Sequence, residues 1–483
     1  MASFGGGPPN SNHLSLYARW SRGKWGMIFT GNVQVVADHL TLARDMVVPE
    51  VLTEDAMQPY MRLASAIHHG TDRPLVGFSA REKNAERPLA IMQLSHAGRQ
   101  SPNFLGGRLP FVPPLAPSAV PMELSSGLSQ QRASLGQTLS QALSAILHQL
   151  VFLTPREMTP GDINHVVDAF VKGAQLAARS GFDGVEIHAA HGFWKVVSAI
   201  RECSGIPSEF VVGIKLNAAD YLDSDIILEG SDHGSDEQRV LAHVREIASW
   251  KMIDFIEVSG GTYESPIRDF MSIPSASRRQ ALFSRFSHRA LAELSDCDYE
   301  RPMILLTGGL TSPTLLGTVL EEKHGDLLGV GRLSVLQPEM PRLLKDALST
   351  GKMAYLDELE RGPLASGKMC DETLSRTPQA GWTTKVERTS TRLLYFLWGL
   401  VPPIARPQFP RLIGAGVEMA WYDVAMRNIA TGSRADIGDG LGAVMRLWLY
   451  VAPGPESIGN WAIWAGLSAI AVLALSYLKA KHA

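Results

Sequence analysis

The chain has 483 residues, of which 45% are hydrophobic and 19% are charged, so most of it can fold around a buried core and is not disordered. The 45 lysines and arginines against 48 aspartates and glutamates give a net charge of −3, which argues against bulk binding of nucleic acid. Cys203, Cys297 and Cys370 are far apart and form no Cys-x-x-Cys pair, so the sequence indicates neither a disulfide framework nor a zinc finger.

Short apolar segments of the kind that form parallel strands buried on both faces recur along the chain. Each of them ends in glycine or polar residues, and amphipathic segments with helical periodicity lie between them. The seven predicted strands are residues 26–30, 89–94, 184–188, 211–216, 254–258, 303–307 and 327–330.

The alternation of strands and helices over about 340 residues is typical of an α/β fold. With this many repeats a (β/α)8 barrel is favoured over an open sheet, and no Gly-x-Gly-x-x-Gly motif follows the first strand. A barrel has eight strands, however, and only seven are evident. Residues 12–25 before the first strand indicate a helix, so the absent strand would have to precede them, where only a stretch rich in glycine and proline lies. We therefore expect an incomplete barrel.

Four parts are expected along the chain. Residues 1–350 form the barrel domain, and residues 351–390 form a polar linker. Residues 391–460 form a helical extension that lies at a membrane interface or packs against the barrel. Residues 461–478 form a transmembrane helix.

The predicted transmembrane segment, residues 461–478, has 18 residues without a charge. As a helix it would be about 27 Å long, close to the hydrocarbon core of a bilayer, and aromatic residues lie near its ends. The alternative is a buried core helix. Because the first residues of the chain lack the pattern of a signal peptide, the barrel is expected to face the cytosol. Lys479 and Lys481 form a Lys-x-Lys-x-x ending, which resembles an endoplasmic-reticulum retrieval signal.

Two histidines follow the third predicted strand, in the sequence GVEIHAAHGF. His188 and His191 therefore lie at the carboxyl end of a strand, which is the barrel face that carries active sites. Two imidazoles at this spacing can donate hydrogen bonds to one carbonyl or phenolate oxygen. The competing interpretations are a metal pair, for which no third ligand is evident nearby, and histidines that only pack in the barrel mouth.

Glycine pairs follow the last two predicted strands, where barrels commonly build a phosphate site. Backbone N–H groups at such glycines can approach an anion, and Arg332 can bind it as a fork. Lys215 would bring positive charge into the barrel mouth, or else reach solvent from a strand end. Gln93 offers an amide donor and acceptor together, which suits the edge of a flavin ring. These residues alone predict a phosphate-bearing cofactor in a barrel.

The motifs taken together resemble the old yellow enzyme family of NAD(P)H:flavin oxidoreductases, especially fungal members with C-terminal extensions. The segments that carry the resemblance stand in the order of the family, from about residue 4 to residue 344. They are QLSHAGRQ, GFDGVEIHAAHGF, GIKLNAADY, EVSGGTYESP, LLTGGL and GVGRLSVLQPEMP.

The resemblance implies a (β/α)8 barrel with non-covalent FMN, which NAD(P)H reduces. The reduced flavin would then deliver a hydride from N5 to the activated C=C bond of an α,β-unsaturated carbonyl compound. His188 and His191 would hold the carbonyl oxygen of this enone-type substrate. The implied FMN-binding residues are Thr30, Gly31, Gln93 and Lys215 on the flavin ring, and Gly308, Gly309, Gly331 and Arg332 on its phosphate.

Three features depart from the family pattern. The opening strand has no counterpart, and the long segment that usually follows the histidine motif is replaced by a short helix. At the position of the family's usual proton-donating tyrosine this chain has Phe193, which has no proton to give. Tyr263, a thiol or water would therefore have to supply the proton. The alternative function is a flavin-free, non-catalytic barrel tethered to a membrane. The loop at residues 101–127 and the residues around Tyr263 are expected to set the choice of substrate.

Overall fold

The computed structural model describes most of the predicted barrel domain and one helix of the extension. The described residues are 6–41, 45–71, 87–122, 145–146, 148–188, 193–217, 234–259, 276–295, 297, 299–308, 310, 313–350 and 411–432.

All seven predicted strands are present, and every pair of neighbouring strands in their sheet is parallel. The α/β class is therefore confirmed. The seven strands are β1 (Met27–Phe29), β4 (Leu89–Ser95), β7 (Gly184–His188), β8 (Val211–Asn217), β9 (Phe255–Ser259), β10 (Met303–Thr307) and β11 (Leu327–Gly329). Four short strands were not predicted from the sequence: β2 (Val33–Gln34), β3 (Met46–Val47), β5 (Leu115–Ala116) and β6 (Arg156–Glu157).

The order β11-β10-β9-β8-β7-β4, with β1 and β2 both on the free edge of β4, is the order of a barrel. Side chains from six of these strands meet in one cluster on the inner face, which shows that the sheet curls around an interior. The inner cluster comprises Met27, Phe29, Leu89, Ile91, Val211, Phe255, Leu305 and Leu327. Among the described residues β1 and β11 are not paired with each other, so the ring of strands stays open there, as the count of seven predicts.

The outer face of the sheet packs on helices, and together they form the main hydrophobic core. The helices are α1 (Ser11–Arg22), α2 (Glu54–His69), α3 (Pro160–Arg179), α4 (Phe193–Glu202), α5 (Gly234–Ser249), α6 (Ala276–Ser295), α7 (Pro313–Glu321), α8 (Arg332–Leu336), α9 (Met340–Thr350) and α10 (Arg411–Thr431). Helix α4 is the short crossover that the sequence predicts after the histidine motif.

Helix α1 and the residues that follow it connect α2, near the start of the chain, with the segment at residues 334–342, which follows the last strand. Helix α1 packs on α2, and the indole N–H of Trp20 donates to the carbonyl oxygen of Ser334 at 2.9 Å. The indole of Trp25 donates to Pro338 O at 2.8 Å, and Arg342 N donates to Gly23 O at 3.2 Å. The outer layer is therefore held together across the gap between β11 and β1.

Helix α10 is the described part of the predicted extension, and it packs against α1 and α8. Trp421 and Val424 are buried there, with Val335 among their neighbours. No helix of the described residues is long and apolar enough to cross a membrane. The predicted transmembrane segment, residues 461–478, lies outside the described residues.

Candidate functional site

The inner face of the sheet changes from apolar to polar toward the carboxyl ends of the strands. Alternate residues of a strand point to the same face, so the residue that follows each apolar inner position by two also faces inward. Above Ile91 and Phe255 these positions hold Gln93 and Glu257. On β8 the inward-facing residues are Val211, Gly213 and then Lys215, and on β7 Glu186 is at the corresponding level. The contacts described next join Glu186 and Lys215 to the other two residues. We call these four residues the inner polar layer.

Two contacts between neighbouring strands hold the inner polar layer together. Lys215 Nζ lies 2.9 Å from Glu257 Oε1, and these two residues are register partners on β8 and β9. The side-chain amide of Gln93 donates to Glu186 Oε2, and these two residues are register partners on β4 and β7. The predicted flavin residues Gln93 and Lys215 therefore lie in one layer, and each is bound by a carboxyl group.

The two carboxyl groups of the layer differ in protonation. Burial raises the pKa of Glu186, and the nearby Glu257 carboxylate raises it further, so Glu186 keeps its proton. Burial also acts to raise the pKa of Glu257, but Lys215 outweighs that effect and holds it below its usual value. Oε1 of Glu186 accepts no hydrogen bond. With a proton on Glu186, the layer holds one ammonium, one carboxylate and no net charge.

His188 ends β7 two residues above Glu186, at the mouth of the barrel. Burial lowers its pKa to about 3, and the positive charge of Lys215 acts in the same direction. The ring is therefore neutral near pH 7 and carries a single N–H group. Its Nδ1 lies 3.2 Å from Oδ1 of Asn32. Because an amide oxygen only accepts, the single proton of the ring is on Nδ1 in this arrangement.

A one-residue bulge shapes the rim of the site beside His188. Strands β1 and β2 both pair with the same edge of β4: Phe29 is the partner of Ile91, and Val33 is the partner of Leu94. The chain advances four residues from Phe29 to Val33 but only three from Ile91 to Leu94, so one extra residue bulges out. The hydroxyl of Thr30 accepts the backbone N–H of Gln93 at 3.0 Å. The backbone N–H of the next residue, Gly31, donates to the hydroxyl of Tyr17 at 2.8 Å. The hydroxyl groups of Thr30 and Tyr17 thus accept backbone N–H groups that would bond to a neighbouring strand in a regular sheet. These two bonds fix Thr30 and Gly31 beside Gln93.

The predicted phosphate-binding glycines lie at the ends of the neighbouring strands β10 and β11. Gly308 has a φ of 116°, which disfavours any side chain, and it directly follows β10. A Cβ atom on Gly329 would lie 2.0 Å from the hydroxyl of Thr307, so a glycine is required there. Gly331 and Arg332 follow at the start of α8. The residues predicted to bind the phosphate thus follow two neighbouring strands at one edge of the barrel mouth.

The loop after β4 begins at the carboxyl end of that strand and carries exposed apolar side chains. Arg108 holds this loop in place: it donates to the hydroxyl of Ser101 at 2.7 Å and to its carbonyl oxygen at 3.2 Å. Phe104 and Phe111 are exposed and pack edge to face, with their ring centroids 5.7 Å apart. The loop therefore offers an apolar, well-fixed surface near the barrel mouth.

Of the predicted site residues, the structure brings Thr30, Gly31, Gln93, His188 and Lys215 together. His191, Tyr263 and Gly309 lie outside the described residues. In the part of the chain that the structure describes, no group of three or more histidine, cysteine, aspartate or glutamate side chains could hold a metal ion.

Sequence reasoning did not single out Glu186, Glu257, Asn32 and Tyr17. A signal existed for the two glutamates, because each is the only acidic residue within an otherwise apolar strand core. Asn32 and Tyr17 reach the site through the bulge and through the packing of α1, and neither contact has a local sequence pattern.

The donor set fits a flavin mononucleotide. Gln93 and Lys215 provide an amide and a cation on the inner side of the mouth. Gly308 and Gly331 leave the backbone accessible at the adjoining edge, beside Arg332, where a phosphate would need hydrogen-bond donors.

Comparisons with known proteins identify the family of this chain. Residues 6–195 match the family described as NADH:flavin oxidoreductase / NADH oxidase. The chain is 30% identical over 411 residues to the NADH-dependent flavin oxidoreductase iliE of Neonectria sp. (strain DH2), which covers 78% of this chain and 47% of that protein. It is also 30% identical over 365 residues to the NADH-dependent flavin oxidoreductase iccE of Talaromyces variabilis, which covers 68% of this chain and 76% of that protein. The chain thus spans about half the length of the first relative.

Two solved structures share the fold. Histamine dehydrogenase from Rhizobium sp. 4-9 has a TM-score of 0.50 at 18% identity, over 74% of this chain and 45% of that chain. A 2-naphthoyl-CoA reductase in complex with 2-naphthoyl-CoA has a TM-score of 0.50 at 16% identity, over 71% of this chain and 48% of that chain. At such identity the likeness concerns the fold alone, and it agrees with a barrel-like parallel sheet.

Proposed function

Because this chain belongs to the NADH:flavin oxidoreductase / NADH oxidase family, we propose that it reduces the activated C=C bond of an α,β-unsaturated carbonyl compound. FMN is the cofactor of this family and NAD(P)H its reductant. The observation that carries the proposal is the neutral His188 at the mouth, directly above the layer that holds Gln93 and Lys215. A neutral imidazole there can donate a hydrogen bond to a substrate without bringing a charge into a dry pocket.

The residues around FMN have separate tasks in this proposal. Gln93 and Lys215 bind the ring, Thr30 and Gly31 lie along it, and Gly308, Gly309, Gly331 and Arg332 bind the phosphate. When bound, FMN supplies the hydride exchange between NAD(P)H and the alkene. His188 and His191 donate to the carbonyl oxygen, which draws electron density from the alkene and favours attack at its β-carbon.

The proposed role of His188 requires a proton on Nε2, the ring nitrogen that does not face Asn32. Oδ1 of Asn32 faces Nδ1 in the structure, so the proposal includes a turn of this amide that presents its N–H to Nδ1 and moves the proton of the ring to Nε2. Nε2 can then donate to the substrate oxygen. The reduced alkene takes up one proton at its α-carbon, and Tyr263 is proposed to deliver it, because Phe193 has no proton to give.

The role of the histidines is tested with a phenol, whose oxygen imitates the carbonyl oxygen of the substrate. The double variant H188A/H191A removes both proposed donors, so we expect it to bind a para-substituted phenol at least about 10²-fold more weakly than the wild type. The binding is measured by the change in the visible flavin spectrum. H243A, on the exposed side of α5, is the matched control and should bind the phenol like the wild type. Equal binding by H188A/H191A and the wild type would remove these histidines from the substrate site.

A second candidate function is a flavin-free barrel that serves in interactions rather than catalysis. The observation in its favour is the open ring of strands between β11 and β1 among the described residues. It is distinguished by cofactor content, because this function does not require FMN to be bound.

The substrate is proposed to be a small apolar enone. The exposed Phe104, Leu109 and Phe111 lie on the loop after β4, at the barrel face where a substrate would enter. Apolar side chains at such a position favour an apolar ligand.

We also propose that the chain attaches to a membrane through residues 461–478, with the barrel in the cytosol, at the endoplasmic reticulum. The uncharged run of 18 residues supports this proposal. Removal of residues 461–483 is expected to release the protein from microsomes into the soluble fraction. A full-length protein that is soluble without detergent would contradict the proposal.

A further inference from the structure

The inner polar layer contains two carboxyl groups to which the proposed function assigns no task. Glu186 binds the side-chain amide of Gln93, and Glu257 binds the ammonium group of Lys215. Each flavin-binding side chain is therefore held by a carboxyl group on the next strand, at its own register position. A long side chain such as Gln93 has several rotamers, and a fixed partner removes this freedom before the ligand arrives.

The charges of the layer balance only while the two carboxyl groups share one proton. Glu186 is fully buried and Glu257 nearly so, and a single cation, Lys215, faces them. The titratable or charged groups that act on this pair within the described residues are Lys215 from β8 and His188 from β7 itself. His188 is neutral near pH 7 and contributes no charge. Helix α3 packs on the outer face of β7 with apolar side chains such as Leu176 and Ala177.

We propose that Glu186 and Glu257 are positioning residues for FMN, and that the single proton they share determines the pH range in which FMN binds. This inference rests on the proposed binding of FMN at Gln93 and Lys215. Glu186 accepts from Gln93, and with the proton present its other oxygen can donate to Glu257, so that both flavin-binding side chains keep their places.

Loss of this proton at alkaline pH has two effects on the site. A second negative charge appears in a buried layer that holds one cation, and the two carboxylates repel each other. Lys215 is then drawn toward two carboxylates, and its charge is less available to the flavin ring. Because burial and Glu257 raise the pKa of Glu186, the protonated form persists at neutral pH and is lost as the pH rises. FMN binding is therefore expected to weaken toward alkaline pH.

The test is the dissociation constant of FMN between pH 6 and pH 9.5, measured on the full chain by quenching of flavin fluorescence. E186L removes the partner of Gln93 and should weaken FMN binding about tenfold at pH 7. E186Q imitates the protonated glutamate, since its amide can donate to Glu257 and accept from Gln93. It should bind FMN more tightly than E186L, and its dissociation constant should not rise with pH as that of the wild type does. E246Q, on the exposed side of α5, is the matched control.

Each outcome decides one claim. If the wild type binds no FMN at any pH, the proposed function fails and the inference fails with it. If the wild type binds FMN and E186L binds it equally well, the positioning role is overturned while the proposed function stands. If E186Q shows the same pH dependence as the wild type, the shared proton is not the group that titrates, and that part of the inference is overturned.

Discussion

Replacement of Lys215 by methionine is expected to lower the free energy of unfolding by about 3–5 kcal/mol at pH 7. Lys215 is the only cation that the described residues place against Glu257, at 2.9 Å, and both side chains are largely buried. Without it the folded state must either hold an unpaired buried carboxylate or take up a proton. Urea unfolding measures the loss.

The cost of K215M should depend on pH in a defined direction. In the wild type Lys215 holds the pKa of Glu257 below its usual value, and this stabilisation is lost as the pH falls. In K215M the pKa of Glu257 rises above the value of the unfolded chain, so the variant loses stability as the pH rises through the acidic range. The two proteins should therefore differ most near pH 7 and least below about pH 4.

Two further variants test whether the loss of stability in K215M comes from the unpaired charge of Glu257. The double variant K215M/E257Q has no unpaired charge and should regain most of the lost stability. R245M breaks an exposed ion pair between Arg245 and Glu293 and should cost less than about 1 kcal/mol. A K215M protein as stable as the wild type, or a loss that does not change with pH, would contradict the charge balance described for the layer.

Replacement of Phe255 by alanine is expected to cost about 3–5 kcal/mol. Phe255 is only 2% exposed and fills the apolar inner cluster below the polar layer, where it meets Ile91 and Leu305. Its ring also packs edge to face on Phe29, with centroids 5.8 Å apart. A cavity at this place would remove contacts between strands on opposite sides of the barrel. F111A, at an exposed position of the loop after β4, is the matched control and should cost little.

Gly213 provides a second test of the same packing. A Cβ atom on Gly213 would lie 2.0 Å from the Phe255 ring, so G213A should cost about 1–3 kcal/mol in the wild type. In the F255A background the added methyl group enters the cavity, and the same substitution should cost less or even stabilise. Costs that simply add in the double variant would show that the Phe255 ring does not occupy the space above Gly213.

The sequence predicts the strands well because a parallel strand covered on both faces is apolar throughout. The seven segments, including 184–188 and 303–307, stand out against their polar ends, and all of them form strands. Because parallel strands carry their ligands at their carboxyl ends, Gln93, His188 and Lys215 could also be assigned to one site.

The inner polar layer was harder to predict. Within a barrel strand both faces are buried, so alternation does not show that Glu186 points inward while Ile187 points to the helices. The bulge at Thr30 depends on the register of β1 and β2 along β4, which no local pattern specifies. Packing of α10 on α1 is a contact between distant parts of the chain, and it follows from tertiary structure alone.

The central claim, that this barrel holds FMN at Gln93 and Lys215, is tested most directly by the absorption spectrum of the purified full-length protein. We expect two visible flavin bands that bleach when NADH or NADPH is added without oxygen. We further expect Q93L to lose most of its flavin, since leucine can neither donate nor accept a hydrogen bond. A colourless wild-type protein that also takes up no added FMN would contradict the account, and it would favour the flavin-free barrel.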